Sequence, residues 1–127
     1  MQHFTRPDGS PPVNGYSHAV RFSGELVAVS GQVPLDATGA VVGAGDAEAQ
    51  VRQVFANLAT ALNAAGSGLD RVVKLGVYLT DLADLPAFRA VRDELFDPAA
   101  PPASTLVQVS ALVHPAFRVE IEALATA

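Results

Sequence analysis

The sequence predicts an α+β domain in which two helices pack on one face of a mixed sheet. Several short segments alternate between apolar and polar residues, as strands do, and two longer segments repeat apolar residues every three or four positions, as amphipathic helices do. The elements follow one another as strand, strand, helix, strand, helix, strand, strand. Hairpins combined with one helix-linked crossover then give antiparallel and parallel pairs in one sheet.

Composition limits the class of protein. The chain has 127 residues, which is enough for one domain with its own core. Half of the residues are hydrophobic and only 17% are charged, whereas a typical soluble domain has about 25% charged residues. We therefore expect another subunit to cover part of the surface, as in a homo-oligomer. The net charge of −5, with Lys and Arg scattered along the chain, argues against a nucleic-acid partner.

Several kinds of site and location are not indicated. The chain has no Cys, so it has neither a disulfide nor a thiolate nucleophile. Its three His residues lie in different elements, so we expect no metal site. We expect all three to be surface or hydrogen-bonded core residues, with His18, near Tyr16, the one that could reach a cleft. No secretory signal is recognisable, and no apolar run reaches the ~18 residues that cross a bilayer. We therefore expect a cytoplasmic protein without a membrane partner.

The N-terminal third of the chain predicts an arm, a hairpin and a loop. Residues 1–15 are rich in Pro and Gly and predict an irregular arm. Tyr16–Phe22 alternates as a strand, Ser23-Gly24 suits a tight turn, and Leu26–Gly31 suits the returning strand. Gln32–Gly45, with several glycines, predicts a long loop.

The first helix has a cap, a core face and a stop signal. Asp46 is suited to cap its N-terminus, and Gly66 is suited to end it. Between them, apolar residues at spacings of three and four predict one buried face, made of Val51, Val54, Phe55, Leu58, Ala61, Leu62 and Ala65.

A strand and a second helix follow. Val72–Leu79 alternates as a strand. Asp81 or Asp84 is suited to cap the helix after it, with Pro86 in the first turn. The core face of this helix is expected to consist of Leu85, Phe88, Leu95 and Phe96. The proline-rich segment 97–102 then ends the helix and cannot join a sheet, because proline lacks a backbone N–H donor.

Two strands complete the chain. In the first, Thr105, Val107 and Val109 share one face, opposite Ser104, Leu106, Gln108 and Ser110. In the second, Glu120 and Glu122 share the face opposite Val119, Ile121 and Ala123. A carboxylate buried without a partner is costly, so these acids are either solvated or held for a purpose.

Segments along nearly the whole chain, in order, resemble the Rid family (reactive intermediate deaminase, also called YjgF). The similar stretches are Gly15–Val20, Leu26–Asp36, Glu48–Gln53 with Asn57-Leu58, Ala64–Lys74, Val77–Leu82, Pro102-Ala103 and Val119–Ala123. This resemblance implies a chorismate-mutase-like fold assembled as a homotrimer, with clefts between subunits and the sheets forming a shared barrel. It also implies hydrolysis of enamines and imines such as 2-aminoacrylate to a 2-keto acid and ammonia, without a cofactor.

The resemblance also implies site residues. Glu120 matches the family's water-activating glutamate, and Tyr16 matches its cleft tyrosine. Ser30 and Gly31 match the strand end whose backbone contacts the substrate. The alternative for Glu120 is a solvated carboxylate at a sheet edge, and we favour the cleft because its neighbours are apolar.

The chain departs from the family pattern at the expected substrate anchor. Archetypal members have Pro-Ala-Arg-Ser, in which the arginine pairs with the substrate carboxylate, but Ser104 occupies that position here. The family's cysteine two residues later is Leu106, and a cleft asparagine aligns with Arg89. We expect weak or no activity on 2-aminoacrylate, because a charge-assisted hydrogen bond contributes about 1.5–3 kcal/mol. Arg89 either binds an anion in the cleft or pairs at the surface with Asp93, and we favour the surface pair.

Three functions therefore remain in competition. The first is a deaminase of imines or enamines, and it requires Glu120 and Tyr16. The second is a non-catalytic trimer that binds a small metabolite or acts like a chaperone, and the missing arginine favours it. The third is RNA cleavage or translation inhibition, which the acidic charge disfavours.

Overall fold

A computed structural model describes all 127 residues. The chain forms six strands and two α-helices: β1 (Gln2–Phe4), β2 (Ala19–Arg21), β3 (Leu26–Gln32), α1 (Ala47–Ala64), β4 (Val72–Leu79), α2 (Leu85–Leu95), β5 (Ala103–Gln108) and β6 (Val119–Thr126). Short 3₁₀ turns at Leu69–Arg71 and Leu82–Asp84 precede β4 and α2.

The main sheet has four strands in the order β3-β6-β4-β5. β6 pairs antiparallel with both β3 and β4, whereas β4 pairs parallel with β5 through the α2 crossover. The two helices contact each other and cover one face of this mixed sheet. The predicted α+β class, with two helices on a mixed sheet, is therefore confirmed.

The core lies between the helices and the sheet. α1 buries five apolar side chains at the predicted spacing: Val51, Val54, Phe55, Leu58 and Leu62. Of the other two predicted residues, Ala61 packs on the core, whereas Ala65 is exposed because the helix ends at Ala64 and Ala65 is its C-cap. The sheet buries the alternate residues that face them: Leu75, Val77, Leu79, Val119, Ile121, Ala123 and Ala125. Both predicted ends of α1 are confirmed, because the Ala49 amide donates to Asp46 Oδ1 (3.1 Å) and Gly66 has φ +77°.

The N-terminal hairpin predicted from Tyr16–Phe22 and Leu26–Gly31 is wrong. β2 spans only Ala19–Arg21 and pairs with β1, inside the arm that was expected to be irregular. β3 pairs instead with β6, where Val27 and Val29 find apolar partners. Gly24 does turn the chain, with φ +105°, but this turn carries it from one sheet to the other.

The core face predicted for α2 also needs a correction. Phe88 is buried and Leu85 and Phe96 pack on the core, but Leu95 is 41% exposed. Leu95 is the last residue of the helix, and the core position beside it is filled by Phe96, whose ring packs edge-on against Phe55 at 5.7 Å.

The two predicted capping residues of α2 have different roles. Asp81 caps the short 3₁₀ turn, because its carboxylate accepts from the Ala83 amide at 2.8 Å. Asp84 stands at the N-cap of α2 without a capping hydrogen bond. Its nearly buried carboxylate instead accepts two hydrogen bonds from Arg118, at 2.8 and 2.9 Å. This bidentate pair ties the start of α2 to the segment that leads into β6.

The arm is fixed against the start of β5. Ser17 bridges to Ala103 in parallel, its amide donates to Pro102 O (3.0 Å), and its hydroxyl donates to Pro101 O (2.6 Å). His3 Nδ1 contacts the same Pro101 carbonyl at 2.8 Å. These bonds place Tyr16 beside the first residues of β5.

Gln50 joins three segments near the beginning of β6. It is fully buried on α1. Its Nε2 donates to Gly43 O (3.1 Å) and Ala116 O (2.8 Å), and its Oε1 accepts from the Arg118 amide (2.8 Å). The side chain therefore bonds to three backbone groups, of which Gly43 O also accepts from the Asp46 amide at 2.8 Å, and it holds the loop before β6 against α1.

We expect Gln50→Leu to lower the free energy of unfolding by about 1–3 kcal/mol, because it leaves the partly buried Ala116 carbonyl and Arg118 amide without their Gln50 partner. Urea denaturation measures this loss. Thr60→Ala, at an exposed position of the same helix, is the control and should change stability by about 0.5 kcal/mol or less. Equal stability of the two variants would contradict this role of Gln50.

Candidate functional site

Glu120 lies on the face of the sheet that the helices leave uncovered. Its strand neighbours Val119 and Ile121 point into the core, so alternation directs Glu120 to the open side. The side chain is half-buried, and its carboxylate makes no hydrogen bond or ion pair within the chain. Its lone pairs are therefore free to accept from water or a ligand.

A β-bulge brings Gly31 against this carboxylate. Val29 pairs with Ala123 and Gln32 with Ile121, so two residues of β3, Ser30 and Gly31, lie opposite one residue of β6, Glu122. A bulge contains one extra residue that the ladder leaves unpaired, and bulges often occur beside active sites.

A methyl group at Gly31 would lie 2.9 Å from Glu120 Cδ. Only glycine therefore lets the carboxylate lie against the β3 backbone. Ser30 is exposed, and its carbonyl accepts from Gln32 Nε2 at 3.0 Å.

A second carboxylate on the same face is engaged with a tyrosine. Tyr78, the cross-strand partner of Glu120, donates its hydroxyl to Glu122 Oε1 at 2.5 Å. The hydrogen bond to Glu122 and its negative charge raise the pKa of Tyr78, and Glu120 adds a smaller effect of the same sign. Glu122 is thus occupied, whereas Glu120 remains free.

We expect Glu122→Gln to lower the pKa of Tyr78 towards the ordinary value of about 10, because it removes the charge that disfavours phenolate. Tyrosinate absorbance measures it in a Tyr16→Phe background, since the chain has only two Tyr. A raised folded-state pKa contributes stability that is present below about pH 10 and lost as the pH rises through the folded-state pKa. An unchanged titration curve in Glu122→Gln would contradict the assignment.

Three other predicted residues meet in a cavity on the helix side of the sheet. Tyr16, Arg89 and Ser104 line a space of about 300 Å³ between the arm, α2 and β5. The remaining lining residues are Asn14, Leu85, Arg92 and Leu106. Tyr16 also packs edge-on against His18 at 5.9 Å, while His18 Nε2 contacts Pro11 O at 2.9 Å and does not line the cavity.

The predicted ion pair between Arg89 and Asp93 does not form. Asp93 pairs instead with Arg92, at 2.9 Å. Arg89 makes no ion pair in the chain and borders the cavity. The cavity therefore contains two arginines, whereas the sequence pointed to one.

The sheet separates the two groups of predicted residues. Ser104 is the register partner of Leu75, which faces the helices, whereas Glu120 is the partner of Tyr78, on the open face. A single chain thus brings Glu120, Ser30 and Gly31 together on one side. It brings Tyr16, Arg89 and Ser104 together on the other.

Arg92 is the residue that sequence reasoning missed. Its spacing of three from Arg89 places both arginines on neighbouring positions of the helix surface, and this was the one available signal. No group of three or more His, Asp or Glu is arranged to hold a metal ion. Neither helix combines the length and apolarity needed to cross a membrane.

The geometry defines a two-layer α+β domain with a free carboxylate on one face and a cationic cavity on the other. The family described as Endoribonuclease L-PSP matches residues 8–127, and the chain belongs to this family, which includes the Rid and RutC proteins. The predicted resemblance to the Rid family is therefore confirmed.

Individual relatives agree with this assignment. The structure of YyfB, a Rid-family protein of Yersinia pestis, is similar with a TM-score of 0.89 and 35% identity, covering 99% of this chain and 98% of that one. A RutC family protein of Synechocystis is 38% identical over 90% of this chain and 87% of its own length. The 3-aminoacrylate deaminase RutC of Acinetobacter baylyi is 40% identical over 94% of this chain and 93% of its own length.

Proposed function

We propose that this protein hydrolyses reactive imines or enamines, with Glu120 activating water in a cleft between two copies of the chain. The observation that carries this proposal is the free carboxylate of Glu120 against the bulge at Gly31. A general base needs an accessible lone pair, and Glu120 has one. The name of the relative from Acinetobacter baylyi, a 3-aminoacrylate deaminase, supports the same reaction class.

A homotrimer explains why the two groups of residues lie on opposite sides of the sheet. In a closed ring, the open face of one chain meets the next chain, so that Glu120 of one copy faces the cavity of its neighbour. The exposed Val107 and the half-buried Leu124 support this arrangement, because both are apolar and lie on the uncovered face. The edge of β5 beyond Ala103 is also unpaired.

The reaction needs few groups because an imine carbon is already electrophilic. Glu120 takes a proton from water while the oxygen bonds to that carbon, and the C=N π electrons move to nitrogen, which is protonated. In the resulting carbinolamine, the nitrogen takes a further proton, and the C–N bond breaks as the hydroxyl gives its proton to the carboxylate and C=O forms, releasing ammonia. An enamine first takes a proton at carbon and loses one from nitrogen to become the imine. Water and imine are the only reactants, so no cofactor is required.

Ser104 provides no positive charge to bind the carboxylate of substrates such as 2-aminoacrylate. A neutral hydroxyl replaces the expected arginine on β5, and a charge-assisted hydrogen bond contributes about 1.5–3 kcal/mol. The proposed activity on 2-aminoacrylate is therefore weak or absent.

The same substitution favours the alternative, a trimer that binds a small metabolite or acts like a chaperone without catalysis. RNA cleavage, which the family description names, is the weakest candidate, because a net charge of −5 repels phosphates.

We expect Glu120→Gln to lower kcat for imine hydrolysis by about 10²–10⁴, the usual contribution of a general base. The measurement is ammonia release from a panel of enzymatically generated imines and enamines, including 3-aminoacrylate. Glu122→Gln is the matched control: it removes the same charge from the same face, but its carboxylate is engaged by Tyr78. The proposed role would be abandoned if both variants kept the wild-type rate. Ligand binding without any turnover would favour the non-catalytic alternative.

We expect sedimentation equilibrium to give a mass three times that of one chain. Val107→Asp should shift the mass towards one chain, because it would bury an unpaired charge in the assembly. Ala90→Asp, at an exposed position of α2, introduces the same charge and should leave the trimer intact. A wild-type protein that sediments as a single chain would contradict the shared cleft.

A further inference from the structure

Arg92 is buried, which is unusual for an arginine. The residue is 6% exposed, and such burial requires partners for the guanidinium. Its Nε donates to Asp93 Oδ1 at 3.0 Å, and its Nη2 donates to Asn14 Oδ1 at 2.9 Å. The group also lies over the Phe88 ring, 5.7 Å from its centroid.

One side of this guanidinium is not satisfied by the chain. A guanidinium has five N–H donors, and Nη1 of Arg92 makes no hydrogen bond. Since no buried side-chain nitrogen or oxygen lacks a partner, Nη1 is not sealed in the interior. Arg92 lines the cavity, so its free donors are available to a ligand there.

The backbone of the arm holds the guanidinium in place. Gly15 has φ +70°, and a methyl group added there would lie 2.2 Å from Arg92 Nη2. The close approach of arm and arginine is therefore possible only with glycine. Together with Asn14 and Phe88, this contact fixes the guanidinium before any ligand arrives, which lowers the entropic cost of binding.

The cavity has an excess of positive charge. Arg89 and Arg92 both line it, whereas no Asp or Glu does. Asp93 offsets one of the two charges from outside, with a side chain that is 63% exposed. Tyr16 and Ser104 add neutral hydroxyls. A small anion is the complementary ligand for such a set of donors.

We propose that Arg92, assisted by Arg89, binds the carboxylate of the substrate, and that α2 therefore provides the anchor that Ser104 on β5 cannot. This inference rests on the proposed function and narrows its substrates to imines or enamines that carry a carboxylate. An anion held from the helix lies in a different position from one held from the strand. A 2-oxo acid or 2-aminoacrylate can therefore bind through its carboxylate while its reacting carbon is displaced from Glu120, and the preferred substrate for turnover has a different spacing between its carboxylate and its imine carbon.

Calorimetry with 2-oxobutanoate, a stable 2-oxo acid of the product class, tests this inference without requiring turnover. We expect Arg92→Met to weaken binding by about 10–100-fold, the factor expected for a lost charge-assisted hydrogen bond. Arg89→Met should weaken it less. Arg52→Met is the charge-matched control, since Arg52 is an exposed, ion-paired residue of α1 outside the cavity, and should bind as the wild type does.

Two further comparisons separate ligand binding from a purely structural role. Arg92→Lys keeps the charge but loses the planar guanidinium with its paired donors, so it should bind 2-oxobutanoate with intermediate affinity. This variant replaces Arg92→Met in the test if Arg92→Met does not fold. Asp93→Asn removes the ion pair of Arg92 but no donor from the cavity, so it should retain binding. If Asp93→Asn and the Arg92 variants weakened binding equally, Arg92 would be a structural residue and the inference would be overturned.

The nature of the anion is tested with two more probes. The uncharged 2-oxobutanamide should bind weakly and should not distinguish Arg92→Met from the wild type. Inorganic phosphate should bind less tightly than 2-oxobutanoate, and the reverse order would overturn the assignment of a carboxylate. A purely electrostatic effect of net charge would appear as equal losses in Arg52→Met and Arg92→Met, and would also overturn it.

The failure of this inference is distinguishable from failure of the proposed function. If imines are hydrolysed, Ser104→Arg tightens 2-oxobutanoate binding and Arg92→Met changes nothing, the deaminase proposal stands and the anchor is wrong. If 2-oxobutanoate binding depends on Arg92 but no imine turns over, the anchor stands and the deaminase proposal fails.

Discussion

The structure depends on the alternation of β6, one of the two strands that have a neighbour on each side in the sheet. Val119, Ile121 and Ala123 are buried against the helices, so Glu120 and Glu122 must lie on the other face. A shift of one residue in register would bury both carboxylates in an apolar core, at a cost that no partner there offsets. The requirement to bury one face of β6 thus fixes the position of its acids.

The neighbours of β6 give its two acids different environments. On one side, β4 presents Tyr78, which engages Glu122 and leaves Glu120 free. On the other side, the bulge in β3 brings Gly31 against Glu120, where any side chain would collide with it. The two acids are two residues apart on one strand face, yet only one retains an unused carboxylate. Their difference arises from cross-strand partners and not from their own strand.

Sequence reasoning succeeded where the signal was local and failed where partners were distant. The face of α1 and the alternation of β4 and β6 follow from periodicity within each segment, and the structure has them as predicted except for Ala65, which is exposed at the C-cap of α1. The alternation in Tyr16–Phe22 predicted a strand, and the structure has one at Ala19–Arg21. The alternation contains no information about which other strand this segment pairs with. Arg92 was missed because its burial depends on Asn14, 78 residues earlier, and no pattern within α2 encodes that contact.

Replacing an arginine on a strand with arginines on a helix changes the geometry of an anion site more than its charge. A residue on β5 is held by the ladder to β4, so its side chain starts from a rigid backbone. Arg92 instead depends on the arm, through Asn14 and the backbone of Gly15, as much as on α2 itself. If Arg92 binds the substrate carboxylate, ligand binding and ordering of the arm are coupled through one guanidinium, because both use donors of the same group. Residues of the arm that never touch the ligand would then influence its affinity.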